Sequence, residues 1–415
     1  MAENRMSRPL PSPVLSVDVL VIGAGPIGAL TAILLAQAGF DVAVVEAGDP
    51  DRLARPGSDG RAIALALSAQ RAVVAAGLWD RLAPVAEPIL DIQVTDGKAP
   101  VFLHYDHTAI GDDPFGWIIE NEEIRGATLA RLEALDRVRL LAPARVTAWN
   151  FDGARVTADL ADGRTIRAAL AVAADGRPSP TRQAAGIGIT NWDYRQSGIV
   201  CAIGHEKPHN GIAHERFLPA GPFAILPMTG NRSGIVWTER SDLAPAIVAQ
   251  DEDLFLAELS ERVGGFLGKL RLASPRHFYP LSLQMADRIT APRLALVGDA
   301  AHGMHPIAGQ GLNLGIRDVA ALVEAVVDAG RIGLDPGSPD VLDRYGRWRR
   351  FDTVTMLTVT DGLNRLFSNQ VVPLRLARDA GLAAVEHLPA AKRLFMRHAM
   401  GVVGDLPRLL RGEAL

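Results

Sequence analysis

Cysteine is almost missing from this chain. Cys201 is the single one in 415 residues, so no internal disulfide can form, which fits a reducing cytosol. Positive charge is not in excess either. Lys and Arg number 43 against 47 Asp and Glu, and a net charge of −4 gives nucleic acid no basic field to bind. The opening residues MAENRMSRPLPSPVLS carry no apolar signal-peptide core. The nearest approach to a membrane span, Val17 to Ala38, is broken by Gly23, Gly25, Pro26 and Gly28; it reads instead as strand, turn and helix. No GxSxG, CxxC or Walker sequence is present. His302 with His305, and His104 with His107, have HxxH spacing. Neither pair sits on a helical pattern or has a glutamate at metalloprotease spacing, so no metal site is expected. The hard chemistry therefore falls to a cofactor. There is no internal repeat and no low-complexity segment. With 48% hydrophobic and 22% charged residues, the chain is of globular composition and long enough for two or three domains.

What is present begins with a dinucleotide fingerprint in its required setting. Val17 to Ile22 is a buried strand candidate, Gly23-Ala24-Gly25-Pro26-Ile27-Gly28 follows, and a helix runs to Ala38 with its stop at Gly39. Val42 to Val45 is the next strand and ends on Glu46. Gly23 makes the turn, Gly25 admits a pyrophosphate, and Gly28 lets helix and strand pack closely. Glu46 is placed to accept hydrogen bonds from a ribose. This motif alone does not separate FAD from NAD.

The stretch RLALVGDAAHGMHPIAGQGLNLGIRD, Arg293 to Asp318, is the second anchor. Arg293 to Val297 reads as a buried strand, with Gly298 and Asp299 where it ends. Ligands of open α/β sheets sit outside the carboxyl ends of strands. From Leu312, apolar residues at 316, 319, 323 and 326 recur at helical steps. Gly309, Gln310 and Gly311 therefore lie at a helix N-terminus, whose free N–H groups favour negative charge.

At these residues the chain resembles a known family. GDAAH followed by HPIAGQGLNLGIRD is similar to the ubiquinone-biosynthesis hydroxylases, flavin monooxygenases of the para-hydroxybenzoate hydroxylase fold. The resemblance implies FAD, with Asp299 on its ribityl chain and Gly298 among the cofactor-binding residues. It places Pro306, Gly309, Gln310, Gly311, Leu312 and Asn313 at the flavin ring. The helix start from Gln310 would stabilise the anionic reduced flavin, and His305 and Pro306 would wall the reaction chamber. Gly60 to Ser68 resembles the family's segment after the second strand, which puts Arg61 near the flavin or its pyrophosphate. Trp117 to Asn121 and the helix from Glu122 to Leu135 are similar to another family segment, with Arg125 near the FAD ribose and phosphates. AVAADGRPSPTR resembles the Asp-Gly fingerprint of flavin hydroxylases, with Asp175, Gly176, Ser179 and Arg182 in matching places. The family associates it with FAD and the reduced nicotinamide. No second GxGxxG exists, so NAD(P)H is expected as a transient co-substrate docking on the flavin domain.

The expected fold class is α/β: a Rossmann-like FAD-binding domain interleaved with an antiparallel-sheet substrate domain, then a C-terminal helical region. FAD-binding parts are expected at 15–88, 117–185 and 286–330. Substrate-domain parts are expected at 89–116 and 186–285, and helices at 331–415. Within these, Ala69 to Leu82 reads as one helix and Ile89 to Thr95 as a half-buried strand. Asp96-Gly97 reads as a hairpin turn, and the strands of 138–170 as a β-meander. Strands at 199–203, 215–218, 223–227 and 234–238 could line an apolar pocket or form plain core; both readings stay open. Leu374, Leu376, Leu382 and Val385 with Arg375, Arg378, Lys392, Arg393, Arg397, Arg408 and Arg411 make the tail apolar and basic. It either packs on protein or rests on a membrane surface.

The function this implies is FAD-dependent hydroxylation, with NAD(P)H and O₂, of a polyprenylated phenol on the way to ubiquinone. The expected location is the cytoplasm, with peripheral contact at the inner membrane surface and with other ubiquinone-biosynthesis proteins. Two alternatives stand beside it: a hydroxylase of a small soluble phenol or aryl acid, and a non-catalytic flavoprotein scaffold.

Overall fold

Val14–Ile22 (β1) is rich in apolar and β-branched residues, and the unbroken run Val19 to Ile22 is buried on both faces. A parallel strand covered on both sides reads this way. The computed structural model describes residues 14–49, 59–97, 102–305, 309–367 and 388–415.

After β1 the chain forms α1 (Pro26–Gln37), β2 (Val42–Val45), β3 (Ala62–Ala66) and α2 (Leu67–Ala75). Then come β4 (Asp91–Asp96), β5 (Phe102–Asp106), β6 (Gly116–Glu120) and α3 (Asn121–Glu133). Four strands follow: β7 (Val138–Leu141), β8 (Val146–Asn150), β9 (Val156–Leu160) and β10 (Thr165–Ala173). A short helix, α4 (Pro180–Ala184), leads to β11 (Ile189–His205), β12 (Ile212–Leu218), β13 (Gly221–Met228) and β14 (Arg232–Arg240). The last third holds α5 (Glu252–Val263), β15 (His277–Ala286), β16 (Leu294–Leu296), α6 (Gln310–Arg331), α7 (Pro339–Phe367) and α8 (Pro389–Ala399).

Two large sheets organise these elements. In the first, β16, β10, β1, β2 and β7 lie in that order and all pair in parallel. Helix α1 covers it with nine of twelve residues buried, and α6 packs beside α1. Val319, Val323 and Val326 of α6 are fully buried, each contributing about 1.5–3 kcal/mol relative to exposure. The second sheet runs β15, β11, β14, β13, β12, β4, β5 and is antiparallel except where β12 meets β4. That parallel pair joins two distant chain segments. A third, small sheet holds β3, β6 and Glu87–Ile89.

Several local expectations change. The helix expected over Ala69 to Leu82 breaks after Ala75, because Gly77 turns the chain at φ +71° before a separate turn at Trp79–Leu82. β7 leaves the expected meander and pairs in parallel with β2, so only β8, β9 and β10 form it. β15 was not expected as a strand; Pro280 sits within it, paired to Ser197. Within the expected helical region, α7 starts at Pro339. Pro306, Leu374, Leu376, Leu382, Val385, Arg375 and Arg378 lie outside the described residues.

Candidate active site

Three glycine-bearing turns meet at the carboxyl ends of the parallel strands. The first joins β1 to α1. Gly23 has φ +100°, and a Cβ there would lie 2.4 Å from the Ala174 carbonyl oxygen. A Cβ on Gly28 would lie 2.0 Å from the Gly23 carbonyl oxygen, so both glycines are required by close packing. Gly25 is different: its Cβ direction is open, and with Pro26 it faces the cavity described below. Glu46 braces the turn from behind, accepting the N–H of Ala24 at 2.7 Å and of Gly48 at 2.6 Å.

The second turn follows β10. The Asp175 carboxylate accepts Ser179 Oγ and the Thr181 N–H, so it closes the start of α4 rather than lining the cavity. Gly176 and Arg177 face the cavity in its place. Arg182 is fully buried and donates to the Ala300 carbonyl at 2.8 Å and to the Arg177 carbonyl at 3.0 Å. It thereby ties the second turn to the third, Gly298–Ala300. Asp299 faces the cavity half-exposed, with Arg177 Nε 3.6 Å away. Gln284 of β15, not singled out in the sequence, reaches across to the Arg177 carbonyl at 3.1 Å.

Gly309 caps α6 in the left-handed region, at φ +62°, and a Cβ there would lie 2.8 Å from Ala64 Cβ. The loop can come this close to β3 only as glycine. Asn313 fixes the approach: its amide donates to the Ala64 carbonyl at 2.8 Å and its oxygen accepts the Ala66 N–H at 2.9 Å. The free N–H groups of α6 thus open beside β3, at Gln310, Gly311 and Leu312, which line the cavity. His305 does not line it. This ring is fully buried, edge-on to Tyr194 at 5.3 Å, with neither nitrogen hydrogen-bonded among the described residues. Burial pushes its pKa down to about 4.

Behind α6 lies a buried chain of charges that the sequence reading did not assign. Asp318 accepts the Gly298 N–H at 3.0 Å, His302 Nε2 at 2.6 Å and Arg349 Nε at 2.7 Å. Arg349 and Arg317 both pair with Asp352, and Arg317 also donates to the Gly401 carbonyl at 2.7 Å. Burial alone would raise the Asp318 pKa, but the charges of His302 and Arg349 override it and hold it below the usual range. The one available signal was Asp318 itself, an acid inside an otherwise apolar helix pattern.

All three turns and the α6 start open into one cavity of about 1430 Å³. That exceeds the space a single drug-sized ligand needs. Arg61 and Arg125 line it as well. Arg61 pairs with Asp59 at 2.6 Å, and Asn121 Nδ2 donates to the same carboxylate at 2.7 Å. Among the described residues Arg125 Nε is buried without a hydrogen-bond partner. The far side is apolar sheet: Ile92, Val94, Phe217, Leu226 and Val236 among others.

A family model described as an FAD binding domain matches residues 16–357. Ubiquinone hydroxylase UbiL of Rhodospirillum rubrum is 52% identical over 401 residues, 96% of this chain and 93% of that protein. The chain belongs to this FAD-binding hydroxylase family. The 3-demethoxyubiquinol 3-hydroxylase of Escherichia coli is 32% identical over 93% of this chain and 98% of its own length. Among solved structures, p-nitrophenol 4-monooxygenase PnpA of Pseudomonas putida superposes with a TM-score of 0.76 at 21% identity, covering 93% and 98% of the two chains; it shares the fold. The hydroxylase is an FAD-dependent monooxygenase, with NAD(P)H as the family's reductant.

The residues of the hydroxylase fit FAD. Gly25 and Gly311 both leave open the space a Cβ would fill, which suits close approach of a pyrophosphate and a flat ring. The unpartnered Arg125 Nε offers a buried donor to an anion. The structure brings Gly25, Pro26, Arg61, Arg125, Gly298, Asp299, Gly309, Gln310, Gly311, Leu312 and Asn313 to one cavity. It leaves Gly23, Gly28, Glu46, Asp175 and His305 behind that cavity's wall.

Proposed function

We propose that the hydroxylase acts on the ring of a polyprenylated phenol, one step of ubiquinone assembly. The observation that carries this reading is the continuity of the cavity. Its polar end suits a dinucleotide, and its sheet end is apolar and wide enough for a ring bearing a lipid tail. FAD, when bound, supplies the oxygen-activating chemistry. The chain's own residues hold and orient. Gly25 and Pro26 take the pyrophosphate, Arg125 its charge, and Asp299 the ribityl hydroxyls. The N–H groups from Gln310 to Asn313 would stabilise negative charge on the flavin. The sheet wall keeps bulk water from the reacting atoms. A small soluble phenol would leave most of this volume unfilled.

Peripheral membrane contact is part of the same proposal. No helix among the described residues is long and apolar enough to cross a membrane. On α8, however, Leu394 and Phe395 are exposed at 51% and 47%, beside Arg393 and Arg397. Phe395 also lines the cavity. An apolar patch with basic neighbours at a cavity mouth suits lipid delivery from an anionic bilayer.

The purified protein should be yellow, and with NAD(P)H and O₂ it should hydroxylate polyprenylphenol from membrane extracts. Flavin reduction without any hydroxylated lipid would sink the substrate reading. A double change of Leu394 and Phe395 to Ser should weaken sedimentation with anionic vesicles; unchanged sedimentation would remove the membrane contact.

A further inference from the structure

Strand β12 sorts its side chains by alternation. His214 lies tilted against Phe266, ring centroids 4.7 Å apart, and the Arg216 guanidinium lies over the same ring. Ala213, Glu215 and Phe217 take the opposite face and line the cavity. The cross-strand neighbours of Glu215 are Val94 on β4 and Ala224 on β13. Both line the cavity and neither side chain can hydrogen-bond. Among the described residues Glu215 has no hydrogen-bond or ion-pair partner. Burial pushes its carboxyl up to about 8, with no neighbouring charge contributing. It is the single carboxyl this sheet presents to the cavity among the described residues.

A carboxyl in such surroundings is costly unless something enters to satisfy it. A phenol has the complementary need: its hydroxyl, carried into an apolar pocket, requires one polar partner. We propose that Glu215 is the recognition residue for the ring hydroxyl of the substrate, accepting its O–H from the β12 wall. This rests on the reading of the chain as a phenol hydroxylase. The consequence is specificity. Apolar walls bind any alkylated ring, whereas an unpaired polar group rejects the analogue that cannot satisfy it.

The test uses the FAD-loaded protein and two probes of equal shape, para-hexylphenol and para-hexyltoluene, with binding followed by calorimetry. The wild type should prefer the phenol by about tenfold or more. Glu215→Ala should bring that preference to about one, and Glu215→Gln should keep most of it. A second readout is pH. Phenol affinity should rise up to about tenfold as pH passes through 8, because the carboxylate accepts the stronger hydrogen bond. The Gln variant should lose this rise. Other groups near this wall are His214, Arg216, Tyr105, His398, Arg317 and Asp352. Any titration of theirs persists in the Gln variant and is thereby separated. An Ala variant with undiminished phenol preference overturns the proposal while leaving the hydroxylase reading intact. A wild type that binds neither probe and hydroxylates no lipid overturns both.

Discussion

On strand β14, Ile235 and Trp237 turn away from the cavity and Val236 between them turns into it. The outward pair is buried to 1% exposure against Phe255, Leu259 and Val263, which lie in the same core cluster. The same division holds on β13, where Phe223 and Ile225 pack and Ala224 and Leu226 line the cavity. Both faces are apolar, so composition does not distinguish them. What separates them is the neighbour: a helix filling every gap on one side, open volume on the other. A side chain is core only when something packs against it.

If shape filling alone held the molecule together, a packed-face truncation would be its worst single change. We expect a worse one behind the cavity. Asp318→Ala leaves the buried Arg349 with Asp352 alone, among the described residues, as its counter-charge and removes the acceptor of His302 and of the Gly298 N–H; it should cost about 3–5 kcal/mol in urea unfolding. The sign with pH follows from the lowered Asp318 pKa. The native form holds fewer protons at this site than the unfolded chain. The stabilisation is therefore full above the ordinary value of about 3.9 and fades as pH falls below it through the native value. The variant's deficit should shrink in that acid window; a deficit independent of pH would discard the charge network as its cause.

Ile235→Ala should come next, at about 2–4 kcal/mol, since α5 cannot follow the missing methyl groups. Val236→Ala, one residue on, should cost about 1 kcal/mol or less, while altering affinity for alkylated phenols. Equal losses at the two positions would break the contrast between the faces. The smallest effect is expected at Cys201, fully buried on the packed face, with burial pushing its thiol up to about 12. It should resist thiol reagents in the folded protein and react only on unfolding.

Much of the geometry of the glycine turns was legible because glycine is forced there. Gly23, Gly28 and Gly309 stand where a Cβ would strike backbone or a methyl group, and the sequence displays that need as a spaced motif. The start of α6 was legible from apolar steps and the glycines before it. The substrate wall was not. The strand from Glu215 to Leu218 was expected, but nothing in its sequence told which of its faces met open space. The Asp318–Arg349 pair spans 31 positions between two helices, beyond any local pattern. β15 was masked by Pro280, which usually marks a strand edge.

The cavity draws on residues from Gly25 to Val403, and Arg182 fastens two of its turns across 118 positions of chain. On the reading proposed above, the flavin therefore has no finished berth until the chain has left the ribosome as far as Val403. Cofactor loading becomes a late step of biogenesis, and the colour of the protein a gauge of completed folding.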